Sequence, residues 1–509
     1  MFGRWRSRWE GRREDRGTVD VSRRGVMATQ ARACMRHACA KRKVPIGRKG
    51  RKLAASGLQT AQRTRDPWTD AAWKDVPWTV YRGQAYDLRP FLKRHPGGSW
   101  LLTLAIGRDC TALFESTHLR PEVAVAHLQR LPVLDDFPVD QVPATLRPND
   151  SKLYNRIRER VRKEVFPGNE AGGKHRTGSE AAAVSIIGFA VFAYAVYLSN
   201  PTFLTGGMLG LAGAWIGLTV QHCGNHGAMS RHAPVNLFMG LLSDLVGGSS
   251  MAWRYHHQVS HHIHCNDAPI DEDVHSAFPI LRFDAQLPKH WYHKYQHLYM
   301  WFVFPLMTMT FHAGDLDLFF SGETKGAVAH GARTWERFSI LLGKFVHFGL
   351  LLGLPTLFHG NFPNVLLSAA GYLAVQSVVL ASTFAVSHNV NEAKEWPNFS
   401  EEQKQDWGIQ QVLTSANWGG VIGNFFTGGL NLQIEHHLFP AVSFVHYPAI
   451  AKIVKEECEL AGVPYGYYAT LPEILGRFVQ FMKEVGAAPE SSSKFLVSKD
   501  GSGDLRPMA

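Results

Sequence analysis

The stretch Trp253 to Asn266, WRYHHQVSHHIHCN, constrains this chain more than any other, because five of its fourteen residues are histidine. His257, His261 and His262 form the pattern HxxxHH. On an α-helix, residues four apart lie one above the other. The spacing therefore predicts that His257 and His261 aim at a common point, with His262 at its edge. The same step recurs in His222/His226 (HCGNH) and in Gln433/His437 (QIEHH), with His436 alongside. One such cluster would be a surface feature or a local zinc site. Three of them, separated by apolar spans, point to ligands converging on metal.

Those spans read as membrane crossings. Ala181 to Ser199 is uncharged, Asn200-Pro201 breaks it, and Phe203 to Val220 returns toward His222. Phe338 to Phe358 and Val365 to Val386 form a second pair around the break His359 to Asn364. Each is long enough for a hydrocarbon core of ~30 Å. Lys174 and Arg176 before the first span place that end on the cytoplasmic-type side. Four crossings then bring all three histidine clusters, and Ser387-His388-Asn389, to one face. Val235 to Met251, interrupted by Asp244 and Gly247-Gly248, reads as interfacial. Lys344, inside the third span, is expected to snorkel to the interface.

Charge separates the ends from this body. Mean hydropathy is only −0.14 because polar ends offset an apolar middle. Residues 1–65 hold 19 Lys/Arg against 4 Asp/Glu, a net of +15 in a chain of +11, so the remainder is −4. The basic character belongs to that arm and implies no nucleic-acid partner for the body. From Met27 to Arg65 there is no acidic residue, the composition of an organelle transit peptide; a disordered basic tail is the other reading. The six cysteines show no CxxC pairing, which fits a reducing compartment rather than a disulfide framework.

Between Trp68 and about Asp140 lies a compact soluble segment containing His95-Pro96-Gly97-Gly98 and, 23 residues on, His118. Pro96 and the glycines give a tight turn that points His95 inward. This segment resembles the haem-binding domain of cytochrome b5. Two neutral imidazoles would fill both axial haem positions, leaving an iron that carries electrons and cannot itself activate O2.

The order and spacing of the three boxes resemble those of the membrane fatty-acyl desaturases over roughly residues 70–480. Glutamine opening the third box is the form of the front-end group. The implied fold is mainly α: a four-span desaturase with a di-metal cap on the cytosolic or stromal side, plus a small α+β haem domain. The organisation expected is a basic arm (1–67), haem domain (68–140), linker with an amphipathic helix that can lie on the membrane (141–180), desaturase domain (181–480) and disordered tail (481–509).

The resemblance implies two non-haem irons, haem b, and O2 as co-substrate. It makes His222, His226, His257, His261, His262, His388, His436 and His437 metal ligands. Gln433 is a weaker ligand or a supporting group, and Asp267 orients a ligand imidazole. The implied reaction is insertion of a cis double bond at Delta-4 or Delta-5 of a polyunsaturated acyl chain on a glycerolipid. An NAD(P)H-dependent reductase or a ferredoxin supplies electrons through the haem. A plastid membrane is the expected location, with the endoplasmic reticulum as alternative. A sphingolipid long-chain-base desaturase shares this architecture and stays open; a lipid hydroxylase and a catalytically inactive haem carrier rank below it. His290, His293 and His297 have ligand-like spacing but aromatic company that suits the headgroup level, and are read as structural. His256 and His264 are read likewise, and His232, His275, His359 and His446 as bystanders.

Overall fold

The computed structural model describes residues 67–168, 173–394 and 399–490, and the backbone of 495–497 and 505–507. The basic arm and its reading as a transit peptide lie outside the described residues, except Pro67.

The haem-type segment begins with a hairpin, β1 (Trp78–Tyr81) and β2 (Gln84–Asp87), paired Trp78 with Asp87 through Tyr81 with Gln84. Helices α1 (Thr111–Thr117) and α2 (Pro121–Leu128) follow. Two small cores result. Trp78, Val80, Ala85 and Phe137 fill one end, and Tyr86, Leu88, Ile106 and Leu128 the other, beside Phe91 and Phe114.

Helix α3 (Lys152–Arg160) is capped by Ser151, whose side chain accepts from the Tyr154 N–H. Its apolar stripe (Leu153, Tyr154, Ile157, then Val161) is buried with Trp407, Phe439 and Ile450. The amphipathic pattern is satisfied by protein, whereas the sequence left a membrane surface or an ordinary solvated helix open.

Among the described residues, four helices are long and apolar enough to cross a membrane: α4 (Lys174–Ser199), α5 (Phe203–Asn225), α8 (Thr334–His359) and α9 (Phe362–His388). Leu204, Phe345 and Leu357 on them are 81%, 78% and 84% exposed, a surface that needs lipid around it. Helix α6 (Ala233–Leu245) is apolar but only 13 residues long, too short to cross.

Helices α5 and α9 run in the same direction and touch backbone to backbone. A Cβ at Gly206 would lie 1.8 Å from the Ser368 carbonyl oxygen, and one at Gly210 would lie 2.4 Å from that of Tyr372. Gly206 and Gly210 thus form a small-residue seam of the kind that lets membrane helices approach closely. The seam fixes the register in which α5 delivers His222 and α9 delivers His388.

Lys344 on α8 does not snorkel. It pairs with Asp315 on α7 (Met307–Ser321) and donates to the Gly247 carbonyl at 2.6 Å. An ammonium inside an apolar bundle needs such partners. The last helices are α10 (Gln433–Leu438), α11 (Tyr447–Ala461) and α12 (Leu471–Ala487). Helix α12 runs past the expected domain end at 480, with Phe481, Met482 and Val485 buried, and residues 495–497 pair with 505–507. The first residues assigned to a disordered tail are therefore part of the helical core.

Candidate metal centre and haem cleft

The box-two segment is not α-helical. Arg254–His261 is a π-helical turn, and the His262 N–H donates to the His257 carbonyl at 2.9 Å, five residues back. Five residues, not four, now separate side chains that share a face. His257 Nε2 accordingly lies 3.1 Å from His262 Nε2. His257 and His261 do converge as expected, each offering a ligand atom within 4.8 Å of the other and of Asp273, but His262 is drawn in beside His257 and does not stand at the edge.

Two adjacent clusters result. In the first, His222, His226, His257 and His436 each bring a ring nitrogen within 4.8 Å of the others. His262 joins them, its Nε2 3.0 Å from His436 Nε2, and His222 Nε2 is 3.2 Å from His257 Nε2. In the second, His261, His388, His437 and Cys265 converge in the same way. The Gln433 amide nitrogen lies 2.9 Å from His388 Nε2, at that cluster's edge. The stacked rings of His262 and His437, 4.4 Å apart, join the two groups. All nine residues predicted for the metal region are thus together and buried.

Electrostatics suits the clusters to a cation. Burial and the neighbouring imidazoles hold His257, His262, His436 and His437 well below the usual histidine range, so they are neutral lone-pair donors. His226 Nε2, His262 Nδ1 and His437 Nε2 are buried with no hydrogen-bond partner. Converging neutral nitrogens of this kind fit metal ions in each cluster.

The outer nitrogens are held by groups that sequence reasoning did not single out. His261 Nδ1 lies 3.1 Å from Asp271 Oδ1, His437 Nδ1 2.9 Å from Gln411 Oε1, and His436 Nδ1 3.2 Å from the Tyr447 hydroxyl. His388 Nδ1 donates to the Thr414 carbonyl at 2.9 Å. Such contacts fix ring orientation and tautomer. The carboxylates against His261 are Asp271 and, at 3.3 Å, Asp273. Burial opposes charge on His261, but Asp271 and Asp273 overcome it and raise its pKa. Asn225 ties box one to box two: its Oδ1 accepts from Ser250 Oγ at 2.7 Å and its carbonyl from Gln258 Nε2 at 2.8 Å.

The other histidines are engaged elsewhere. His293 Nε2 donates to the Pro279 carbonyl at 2.8 Å, and its Nδ1 accepts the His290 N–H at 3.0 Å. His256 is paired with Asp273 at 2.6 Å and Glu272 at 3.4 Å. Burial works against its charge, yet these carboxylates raise it to about 9.

In the haem-type segment, the rings of His95 and His118 face each other with centroids 6.3 Å apart. His118 Nδ1 donates to the Phe114 carbonyl at 2.7 Å, and His95 Nδ1 to that of Gly98 at 3.1 Å. The Nε2 of each takes no part in these bonds, so the two imidazoles could hold a haem iron, which would supply electron transfer. Gly98 has φ +100, and a Cβ there would meet the Trp100 indole at 2.5 Å, so both backbone and space demand glycine.

Known proteins place these features in a family. Residues 195–469 match the fatty acid desaturase family, and residues 70–144 match the cytochrome b5-like heme/steroid binding domain. The chain is 62% identical over 437 residues to a chloroplastic acyl-lipid (7-3)-desaturase of Chlamydomonas reinhardtii, covering 84% of each. It is 31% identical to an acyl-lipid (8-3)-desaturase of Physcomitrium patens, over 80% of this chain and 88% of that one. It is 28% identical to Delta(5) fatty acid desaturase A of Dictyostelium discoideum, over 83% and 93%. Iron, haem and O2 are the cofactors and co-substrate of this chemistry. The chain belongs to the fatty acid desaturase family, as a membrane-embedded acyl-lipid desaturase with a cytochrome b5-like domain fused ahead of it.

Proposed function

We propose that this chain is a front-end desaturase acting on polyunsaturated glycerolipids in a plastid membrane. The relative at 62% identity, named chloroplastic and (7-3), supports both the location and (7-3) regiochemistry ahead of that of the Delta(5) relatives at 28%. Delta-4 and Delta-5 insertion are the two outcomes compared. The acyl-lipid and fatty acid names of these relatives set the long-chain-base reading behind.

The single observation carrying the mechanism is the pair of buried histidine clusters, joined through His262 and His437. In this reading His222, His226, His257, His262 and His436 hold one iron, and His261, His388 and His437 hold the other. Gln433 stands beside His388 as a weak ligand or support. When bound, the irons take electrons and O2 and supply the oxidant that removes hydrogen from adjacent methylenes. Burial keeps His257, His262, His436 and His437 neutral, and Asp271, Gln411, Tyr447 and Thr414 aim His261, His437, His436 and His388. It also excludes water from the clusters, which protects a reactive oxidant from side reactions. His95 and His118 hold the haem, and a reductase or a ferredoxin reduces it.

The deciding experiment expresses the chain in a host lacking polyunsaturated lipids. The host is fed acyl chains whose carboxyl-proximal double bond matches either the (7-3) or the (8-3) relatives. Mass spectrometry locates the new bond. Product from the (8-3)-type chain alone overturns the regiochemistry, and no product with iron and haem bound overturns the reaction. Residues 27–75 fused to a fluorescent protein should enter plastids; a reticular pattern overturns the location.

A further inference from the structure

Among the contacts between the haem-type segment and the desaturase body, one leads from the HPGG turn toward the metal clusters. Trp100 lies five residues after His95, in the chain that leaves the HPGG turn, and is 5% exposed. The Arg254 guanidinium sits over its indole, 5.0 Å from the ring centroid. Arg254 opens the π-helical turn of box two and reaches Ser250 Oγ at 3.1 Å. Its neighbour Trp253 packs at 4.3 Å from His257 and 5.3 Å from both His222 and His226, three residues of the first cluster. The interface is held firmly around this point. Leu104 shares a core with Met251, Tyr255 and Val259, and a Cβ at Gly331 would lie 2.2 Å from the Thr103 carbonyl oxygen. The second glycine of the turn has its own part, since any side chain at Gly98 would strike the Trp100 indole.

We infer that Trp100 and Arg254, with Trp253, form the electron bridge from the haem cleft, and that electrons enter the metal pair at the first cluster. This rests on the assignments of haem and iron proposed above. In each transfer a ferrous haem iron gives up one electron and a ferric non-haem iron accepts it. No bond or proton changes at Trp100 or Arg254, and an external reductase or ferredoxin re-reduces the haem. A second approach exists, where Leu113, Ser116 and Thr117 of α1 line a small cavity with His226 and His262. The bridge is favoured because a cation stacked on an indole gives a continuous contact, whereas the α1 side is separated by that cavity.

The test uses full-length protein loaded with iron and haem. The haem is reduced anaerobically, then mixed with O2 and lipid substrate, and its reoxidation is followed by absorbance. Trp100→Leu should leave the haem spectrum and iron content intact yet slow reoxidation on the order of tenfold, with Trp100→Phe intermediate. Arg254→Met, which leaves the haem cleft untouched, should do the same and serves if Trp100→Leu loses haem. Thr117→Val should reoxidise at the wild-type rate. Wild-type rates in both Trp100→Leu and Arg254→Met, or slowing confined to Thr117→Val, overturn the bridge. Wild-type haem that stays reduced in the presence of O2 and substrate overturns the haem-to-iron relay itself.

Discussion

His261 Nδ1 faces Asp271 Oδ1 at 3.1 Å, and both side chains are buried. The other oxygen, Oδ2, accepts the Asn266 N–H at 2.7 Å, while Oδ1 also accepts the Asp273 N–H at 3.0 Å. The carboxylate is thereby fixed before it meets the imidazole. It also makes the ring a stronger donor at its far nitrogen.

Asp271→Ala should lower iron affinity or turnover by about 10- to 100-fold, the usual effect of losing such a support. Asp271→Asn retains an acceptor oxygen and should fall between. Metal content and product yield at matched protein level report the effect. Equal iron and product in Asp271→Ala would remove Asp271 from the design.

How far the sequence alone reaches is visible in box two. Residue types and order nominated the box histidines of the two clusters, because few other arrangements place so many imidazoles beside apolar spans, and His388 was added only by the family resemblance of its position. The partition between clusters was not readable. An α-helical period pairs His257 with His261 alone, whereas the π-helical turn also brings His262 to His257, and no local residue pattern announces that extra residue per turn. Asp271, Gln411 and Tyr447 were equally hidden, since each reaches its imidazole across 10, 26 and 11 residues. Lys344 shows the same limit. Its snorkelling was a fair expectation from one helix, and its partner Asp315 comes from another.

The α5–α9 seam makes a separate prediction. Gly206→Val puts a branched side chain where even a Cβ would lie 1.8 Å from the Ser368 carbonyl oxygen, and backbone cannot step aside cheaply. The substitution should cost at least about 3 kcal/mol and part His222 from His388. A lowered melting temperature together with lost iron is expected. Gly188→Ala, in open space on α4, should change neither.

The haem cleft predicts a pH dependence. Burial lowers His118 to about 4 and His95 also below its ordinary value. A histidine with a lowered folded pKa binds its proton more readily when unfolded, so the unfolded state gains protons first as pH falls. In haem-free protein this stability is complete above about 6.5 and is lost on acidification toward about 4. Protons compete with the iron for the same nitrogens, so haem release should follow the same direction. Stability and haem retention measured from neutral pH downward test this, and loss on raising the pH would contradict it. His118→Ala should abolish the six-coordinate low-spin spectrum at every pH.

The sharpest comparison is between His261 and His293, which looked alike as sequence. His261 is buried in the second cluster, held by Asp271, with its ring 4.8 Å from that of His388 and 4.9 Å from that of His437. His293 is just as buried but uses both nitrogens on backbone, donating to Pro279 and accepting from His290. It holds the segment around Pro279 beside the last turn of α12, where a Cβ at Gly486 would lie 2.2 Å from the His293 carbonyl oxygen. His261→Ala should therefore lose iron and all product while the fold persists, because it removes one of the three imidazoles that converge in the second cluster. His293→Ala should retain iron and lower the melting temperature modestly, since it removes one of two donors to the Pro279 carbonyl, the other being the Tyr292 hydroxyl at 2.9 Å, and the acceptor of the His290 N–H, a loss of about 0.5–1.5 kcal/mol per bond. Iron content, product and melting temperature measured side by side separate the two roles. If His293→Ala lost iron as fully as His261→Ala, the metal site would have to extend to residues 290–297.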